Sequence, residues 1–200
     1  MTCRSASGAT TCAGTPTGNT LAYDNQGQLA AWQNAPSNPT ATDSFLYDGA
    51  GQRVEQVATS GGTTTTTTYI GAVEELATTG STTSTTTTYG GLALSVNGAL
   101  SYTLSDGLGS VSEAVTTSGA SAGSVSATQL YAPYGAVRFQ SGTLPGTRGY
   151  TGQHADAATG LDYYGARYYD PLAGQFTSAD TTLQGSGYDP WGLSRYAYVE

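Results

Sequence analysis

Two stretches of this 200-residue chain copy one another at an interval of 24 residues. LAYDNQGQLAAW begins at Leu21 and FLYDGAGQRVEQV at Phe45. Superposing them puts Tyr23 on Tyr47, Asp24 on Asp48, Gly27 on Gly51 and Gln28 on Gln52. In each copy a short alternating segment runs up to Tyr-Asp, a glycine-containing turn follows, and an alternating segment returns. Asp accepts hydrogen bonds from the backbone just beyond it, and Gly takes positive φ without steric penalty, so each copy reads as a β-hairpin. A supersecondary unit repeated at this interval cannot bury its apolar face alone. Neighbouring units must stack to share a core.

The beat continues downstream. TTTTTTYIGAVEELATTG and TSTTTTYGGLALSVNG each run threonines into a tyrosine, a glycine turn and an apolar return, with Tyr69 and Tyr89 spaced 20 apart. Ser/Thr tracts are often flexible or glycosylated. These lack proline and lead into apolar segments, and β-branched threonine favours extended backbone, so ordered strands are predicted. LSYTLSDGLGSVSEAVTTSG makes a further hairpin: Tyr102 and Leu104 lead in, Asp106 to Gly109 turn, and Val111 to Val115 lead out. ATQLYAPYGAVRFQSG supplies a strand ending at Tyr131, a Pro133-Tyr134-Gly135 turn and a return through Val137 and Phe139. Residues 1–18 show no periodicity and read as a frayed end or a broken first strand. Hairpin repeats are assigned to residues 19–120 and a distinct C-terminal region to residues 121–200. The predicted fold class is all-β, with antiparallel hairpins side by side in a long twisted sheet and an irregular C-terminal segment.

The densest stretch is RGYTGQHADAATGLDYYGARYYDPLAGQFTSAD, from Arg148 to Asp180, which holds Tyr150, Tyr163, Tyr164, Tyr168 and Tyr169. It reads as a hairpin whose tyrosines pack. A tyrosine-rich face can stack sugars or bases. The 20-to-24-residue spacing of tyrosines along the chain favours cross-strand aromatic ladders instead, each pair contributing roughly 0.2–1 kcal/mol. Arg148 and Arg167 are expected to stack on those rings or to pair with Asp170. Beyond Asp180, Leu193 to Val199 reads as a short helical turn or a last strand.

Composition narrows the function classes. The formal charge is −8, and all six basic residues are arginine. Such a chain lacks the electrostatic footprint for nucleic acid or an anionic membrane. No apolar run is long enough to span a bilayer, and no cationic-then-apolar leader follows Met1. Cys3 and Cys12 allow one disulfide loop, and with a single histidine, His154, they make a tetrahedral zinc site unfavourable. No EF-hand spacing, phosphate loop or G-x-S-x-G elbow is present, so neither metal nor cofactor is expected. His154 reads as a loop residue. Asp162, Asp170, Asp180 and Asp189 are the candidates for an aspartyl pair, whose shared proton would supply acid and base. Ordinary turn chemistry explains Asp170 before Pro171 and Asp189 before Pro190, and a strand-end cap explains Asp180. No catalytic residue is assigned.

The order of these motifs carries a resemblance. LAYDNQGQL, FLYDGAGQR, YTLSDGLGSVSEAVTTSG, YAPYGAVR, the Arg148–Asp180 stretch and RYAYVE together resemble the RHS/YD-repeat family over residues 19 to 200. The second half is similar to the RHS repeat-associated core domain. The matching positions are Tyr23, Asp24, Tyr47, Asp48, Asp106, Gly109, Gly152, Gly160, Leu161, Tyr163, Tyr164, Arg167, Tyr168, Tyr169, Asp170, Pro171, Gly174, Phe176, Asp180 and Tyr196. The resemblance implies a structural role for them. Members include bacterial toxin-complex C components and teneurin YD shells, which wind hairpins into a hollow shell around a C-terminal toxin or surface module. The implied partners are therefore the remainder of a longer shell or a toxin cargo, and the implied location is secreted or cell-surface. Several members cut themselves at a later Asp-Pro-x-Gly-Leu motif. Here Asp189-Pro190-Trp191-Gly192-Leu193 has those letters but precedes RYAYV, where the family has a turn. The few hairpins present cannot close a shell, so the chain is expected to be part of a longer polypeptide. An autoprotease region, and an adhesin binding glycan or protein, are the alternatives.

Overall fold

The structure, a computed structural model, describes residues 3–4, 18–35, 37–182 and 194–199. Among them, two antiparallel sheets hold nearly all the regular structure. The first is a thirteen-stranded meander, each strand beside its neighbours in sequence. It opens with β1 (Cys3–Arg4), β2 (Asn19–Tyr23), β3 (Leu29–Gln33), β4 (Ala41–Tyr47) and β5 (Arg53–Ser60). The threonine-rich middle is β6 (Thr63–Ile70), β7 (Glu74–Thr79), β8 (Thr82–Tyr89) and β9 (Ala93–Val96). It ends with β10 (Ala99–Ser105), β11 (Val111–Thr116), β12 (Val125–Tyr131) and β13 (Val137–Ser141). After a 3-10 turn at Tyr150–Gly152 comes the second sheet: β14 (His154–Asp156), β15 (Leu161–Tyr163), β16 (Tyr168–Asp170) and β17 (Gln175–Phe176), again in sequence order.

The all-β expectation holds. Both threonine tracts are strands, and their hydroxyls pair across the ladder: Thr59 with Thr64 at 2.9 Å, Thr65 with Thr79 at 2.6 Å, and Thr78 with Thr83 at 2.9 Å. The C-terminal segment is more regular than expected, because its strands, though only two or three residues long, form a sheet of their own. His154 lies in a strand rather than a loop. Cys12 and the Asp189–Leu193 motif lie outside the described residues, as does Leu193 of the expected last element; Ala197 bridges to Gln175.

Two kinds of turn separate to opposite ends of the long sheet. At one end, four hairpins close through the same backbone motif. The Asp24 N–H donates to the Gln28 carbonyl at 2.9 Å and the Gly27 N–H to the Asp24 carbonyl at 3.1 Å. The same two bonds recur at Asp48–Gln52, Asp106–Ser110 and Ala132–Ala136. The glycines sit at φ 80, 80, 83 and 91° for Gly27, Gly51, Gly109 and Gly135, and a register shift adjoins each turn. This is a type I turn followed by a left-handed glycine and a bulge. At the other end, Gly61-Gly62 and Asn97-Gly98 make two-residue turns with positive φ at both positions, the geometry of a type I′ turn.

Register decides which tyrosines are inside. Tyr69 is 8 % exposed, whereas Tyr89 is 53 % exposed. Tyr69 lies opposite Glu75, and Glu75 opposite Thr86, so Thr86 and Thr88 share its face while Tyr89 points to the other. Side chains alternate along a strand, so a one-residue slip between repeats exchanges the faces. Tyr102 is joined through Ala93 to Tyr89 and shares that outer face. The inner face of β2 to β4 supplies Leu21, Leu29, Trp32 and Phe45, which bury against Leu161, Tyr163 and Tyr168 of the second sheet.

Candidate functional site

The second sheet docks along the end of the long sheet that carries the Asp-Gly turns, and that seam concentrates the buried polar chemistry. At its centre the Arg53 guanidinium donates to Asp156 Oδ2 at 2.7 Å, both side chains being under 5 % exposed. The same guanidinium donates to the Tyr168 hydroxyl at 3.2 Å and the Tyr69 hydroxyl at 2.9 Å, and lies 4.5 Å from the centroids of the Tyr69 and Tyr163 rings. The Tyr163 hydroxyl accepts the Arg53 backbone N–H at 2.9 Å. Tyr69 continues the chain of bonds to Gln56, and Gln56 to Asp43. Burial pushes the Asp156 carboxyl up, an effect the Arg53 charge offsets; burial raises Asp43 to about 7 despite the bond from Gln56. A buried charge needs such company to be tolerated.

The repeat tyrosines reach across the same seam. Tyr23 donates to the Thr177 carbonyl at 3.1 Å, and Tyr47 to the Leu29 carbonyl at 2.7 Å, with Tyr168 at 3.2 Å. Tyr47 packs on Tyr163 with centroids 6.4 Å apart. The repeat-spaced tyrosines do not form the expected cross-strand ladder: Tyr23 and Tyr47 bind the second sheet from the other layer, and the cross-strand aromatic pairs lie within that sheet, Tyr163 opposite Tyr168 and Tyr169 opposite Phe176. A second cluster joins Tyr150, Tyr169 and Phe176 to Tyr131, Tyr164 and Tyr198. It seats on the fourth Asp-Gly-type turn: Tyr150 donates to the Pro133 carbonyl at 2.9 Å and Tyr169 to the Tyr134 carbonyl at 2.8 Å. Further along, the Ser110 hydroxyl accepts the Thr151 N–H at 3.1 Å, and the Val111 N–H donates to the Gly149 carbonyl at 3.0 Å.

The aspartates divide by role. Asp24, Asp48 and Asp106 each accept two backbone N–H groups of their own turn: Gln26 and Gln28, Ala50 and Gln52, Leu108 and Ser110. Asp170 likewise accepts from Leu172 and Ala173, in the turn that contains Pro171, and Gly174 donates back to its carbonyl. Asp180 caps Thr182 and pairs with Arg167 at 2.9 Å. Arg167 thus takes Asp180 as its partner rather than Asp170, and lies 3.8 Å from the Phe176 centroid. Arg148 donates to the Gly152 carbonyl at 2.9 Å. Leu161 is core, Gly160 closes the β14–β15 turn at φ 66°, and the Tyr196 carbonyl accepts the Phe176 N–H.

Beside the Arg53 pair opens a cleft of about 570 Å³ lined by Arg53, Arg148, His154, Tyr69, Tyr163 and Gln52. His154 Nδ1 lies 2.8 Å from the Thr147 hydroxyl, which itself lies 3.1 Å from both Glu75 oxygens. Burial, with the Arg148 and Arg53 charges, pushes the imidazole down to about 3, so it is neutral and its contact with Glu75 is a hydrogen-bond chain rather than an ion pair. Both partners use the same ring nitrogen, so no Ser/Thr–His–acid relay is formed. Among the described residues no group of three or more His, Cys, Asp or Glu is placed to hold a metal ion.

The centre of the seam escaped sequence reasoning. Arg53 was legible only as one residue of a returning strand, and Asp156 not at all. One signal existed: Arg53 is the only basic residue between Arg4 and Arg138 in a strongly acidic chain.

No protein-family model and no curated protein matches the chain. Solved structures do. The chain superposes on a chain of the TcdB2-TccC3-Cdc42 crystal structure with a TM-score of 0.74 and 24 % identity, over 92 % of its own length and 10 % of the other. It superposes equally, at a TM-score of 0.74 and 24 % identity, on a chain of the Photorhabdus luminescens Tc holotoxin pore carrying a TccC3 mutation, over 91 % of its length and 9 % of the other. It thus spans about a tenth of the length of those chains. The chain has the fold of a segment of these toxin-complex chains, in agreement with the RHS/YD-repeat resemblance carried by its Tyr-Asp hairpins and its Arg148–Asp180 stretch.

Proposed function

We propose that this chain is a shell-and-core segment of a larger RHS/YD-repeat protein, a scaffold that encloses a C-terminal toxin or presents a surface module. The observation that carries the reading is the seam itself. The ends of hairpins from both halves of the long sheet, through Tyr23, Tyr47, Arg53 and the Pro133–Gly135 turn, receive one compact sheet, as a wall receives an end plug. Buried polar groups hold that plug: the Arg53–Asp156 ion pair and tyrosines bonded to backbone carbonyls. No reaction is assigned to it, and secretion or display at the cell surface follows from the same reading. Limited proteolysis of the full-length gene product tests it. Residues following Glu200 are expected to resist protease until the shell is unfolded. Cleavage as fast as that of the same segment expressed alone overturns enclosure, and a gene product ending at Glu200 removes the cargo and leaves the scaffold.

A further inference from the structure

Three carboxylates lie buried on adjacent strands of the second sheet: Asp156, Asp162 and Asp170, at 5, 5 and 1 % exposure. Two have companions, Asp156 in Arg53 and Asp170 in the N–H groups of its turn. Asp162 has neither. Its Oδ2 is buried with no hydrogen-bond partner among the described residues. The pleat explains why. Leu161 and Tyr163 point to the long sheet and its arginine, so Asp162 between them points the other way, flanked by Ala155 and Tyr169 on the neighbouring strands. Around it stand the phenols of Tyr131, Tyr150, Tyr164 and Tyr169, each of which feels its charge. The other titratable groups that act on Asp162 or on these phenols are Asp156 and Asp170 of the second sheet, Asp106 and Tyr134 in turns of the long sheet, and Tyr198. The arginines nearby are occupied: Arg148 on the Gly152 carbonyl and Arg167 on Asp180.

We infer that Asp162 is an acid-closed latch: with its carboxyl protonated the second sheet seats on the β12–β13 turn, and with the carboxylate formed that seat loosens. The seat is the one Asp162 faces, where Tyr150 and Tyr169 donate to the Pro133 and Tyr134 carbonyls. A protonated carboxyl is a neutral group that tolerates an aromatic surrounding. A carboxylate there has no donor from the protein at its buried Oδ2 and meets the charges of Asp156 and Asp170. Burial first, then those two charges, raises the group to about 7, which puts the change near neutral pH. The ordinary carboxyl ionises near 4, so the seated state holds a proton that the open state has released, and seating is strongest below about 4 and lost as pH rises through about 7. The latch does not depend on what the larger protein encloses.

Carboxyl carbon NMR of the 200-residue chain labelled at aspartate reads the latch directly, with assignment by comparison to Asp162→Asn. A midpoint for Asp162 near 7 is expected, and one below 5 overturns the inference. Hydrogen exchange, corrected for intrinsic rates, is the second measurement. Between pH 5.5 and 8.5, protection of residues 161–170 and 131–135 is expected to fall about tenfold, while β6 to β8 changes less. Asp162→Asn is expected to hold its protection at both pH values. Equal loss in the variant, or no local loss in the natural chain, overturns it; if the variant does not fold, the NMR titration and the natural chain's exchange decide.

Discussion

At the scale of single residues, Arg53 is the least replaceable side chain in the seam. Arg53→Met leaves Asp156 buried without its cation and is expected to cost about 3–5 kcal/mol in urea unfolding. Pairing it with Asp156→Leu removes the orphaned charge, and the double variant is expected to recover most of that loss. A double variant no more stable than Arg53→Met would show that the ion pair is not what couples the layers. Protonation also acts residue by residue. Asp43, raised to about 7 by burial, gives stability that is full below its ordinary value near 4 and is lost as pH rises through about 7. His154, pushed down to about 3, acts oppositely: it must stay neutral in the folded chain, so stability is lost as pH falls below its ordinary value of about 6.5. Asp43 and Asp162 together outweigh the single histidine. The urea midpoint is expected to decline from pH 5 to pH 8, and Asp43→Asn to flatten that decline.

At the scale of elements, the repeated turn is the unit. Its backbone bonds recur at Ala132–Ala136, where no aspartate stands, so the side-chain cap assists the turn rather than creating it. Asp48→Ala removes two bonds to exposed N–H groups and is expected to cost about 1 kcal/mol. Gly135 is a harder case. Its φ is +91°, and a Cβ there would come within 2.5 Å of the Tyr150 ring. Gly135→Ala is therefore expected to cost more than the ~1–2 kcal/mol of a left-handed alanine, and to raise exchange at the Pro133–Gly135 seat. Gly27→Ala, with open space at its Cβ, carries the conformational cost alone. Equal losses at the two glycines would mean that the Tyr150 contact contributes nothing.

At the scale of the molecule, a meander without closure leaves edges. β13 is exposed throughout, with Val137 and Phe139 both about half exposed, and it has a partner on one side only among the described strands. Unpaired edges of this kind recruit other strands. The isolated chain is expected to self-associate as its concentration rises, measured by sedimentation velocity, and Phe139→Lys to return it to monomer. A monomer at all concentrations would count against the view that this sheet continues in a longer protein.

The hairpins were legible because their information is local. Asp24 to Gln28 contains every donor, acceptor and glycine its turn requires, and threonine's branched Cβ biases β6 and β8 toward extension wherever they lie. Strand order followed from the short turns. The centre of the seam was not legible, because the contacts that tie the first hairpins to the second sheet are remote in sequence, 103 positions apart in Arg53–Asp156 and 154 in Tyr23–Thr177. Face was equally hidden. Tyr69 and Tyr89 occupy matching places in their repeats, yet a one-residue slip in register buries the first and exposes the second. The same pleat turns Asp162 away from the arginine that its neighbours share. Local chemistry set the strands and turns of this protein; which polar groups meet inside it was settled when the second sheet docked, because only then did burial demand partners.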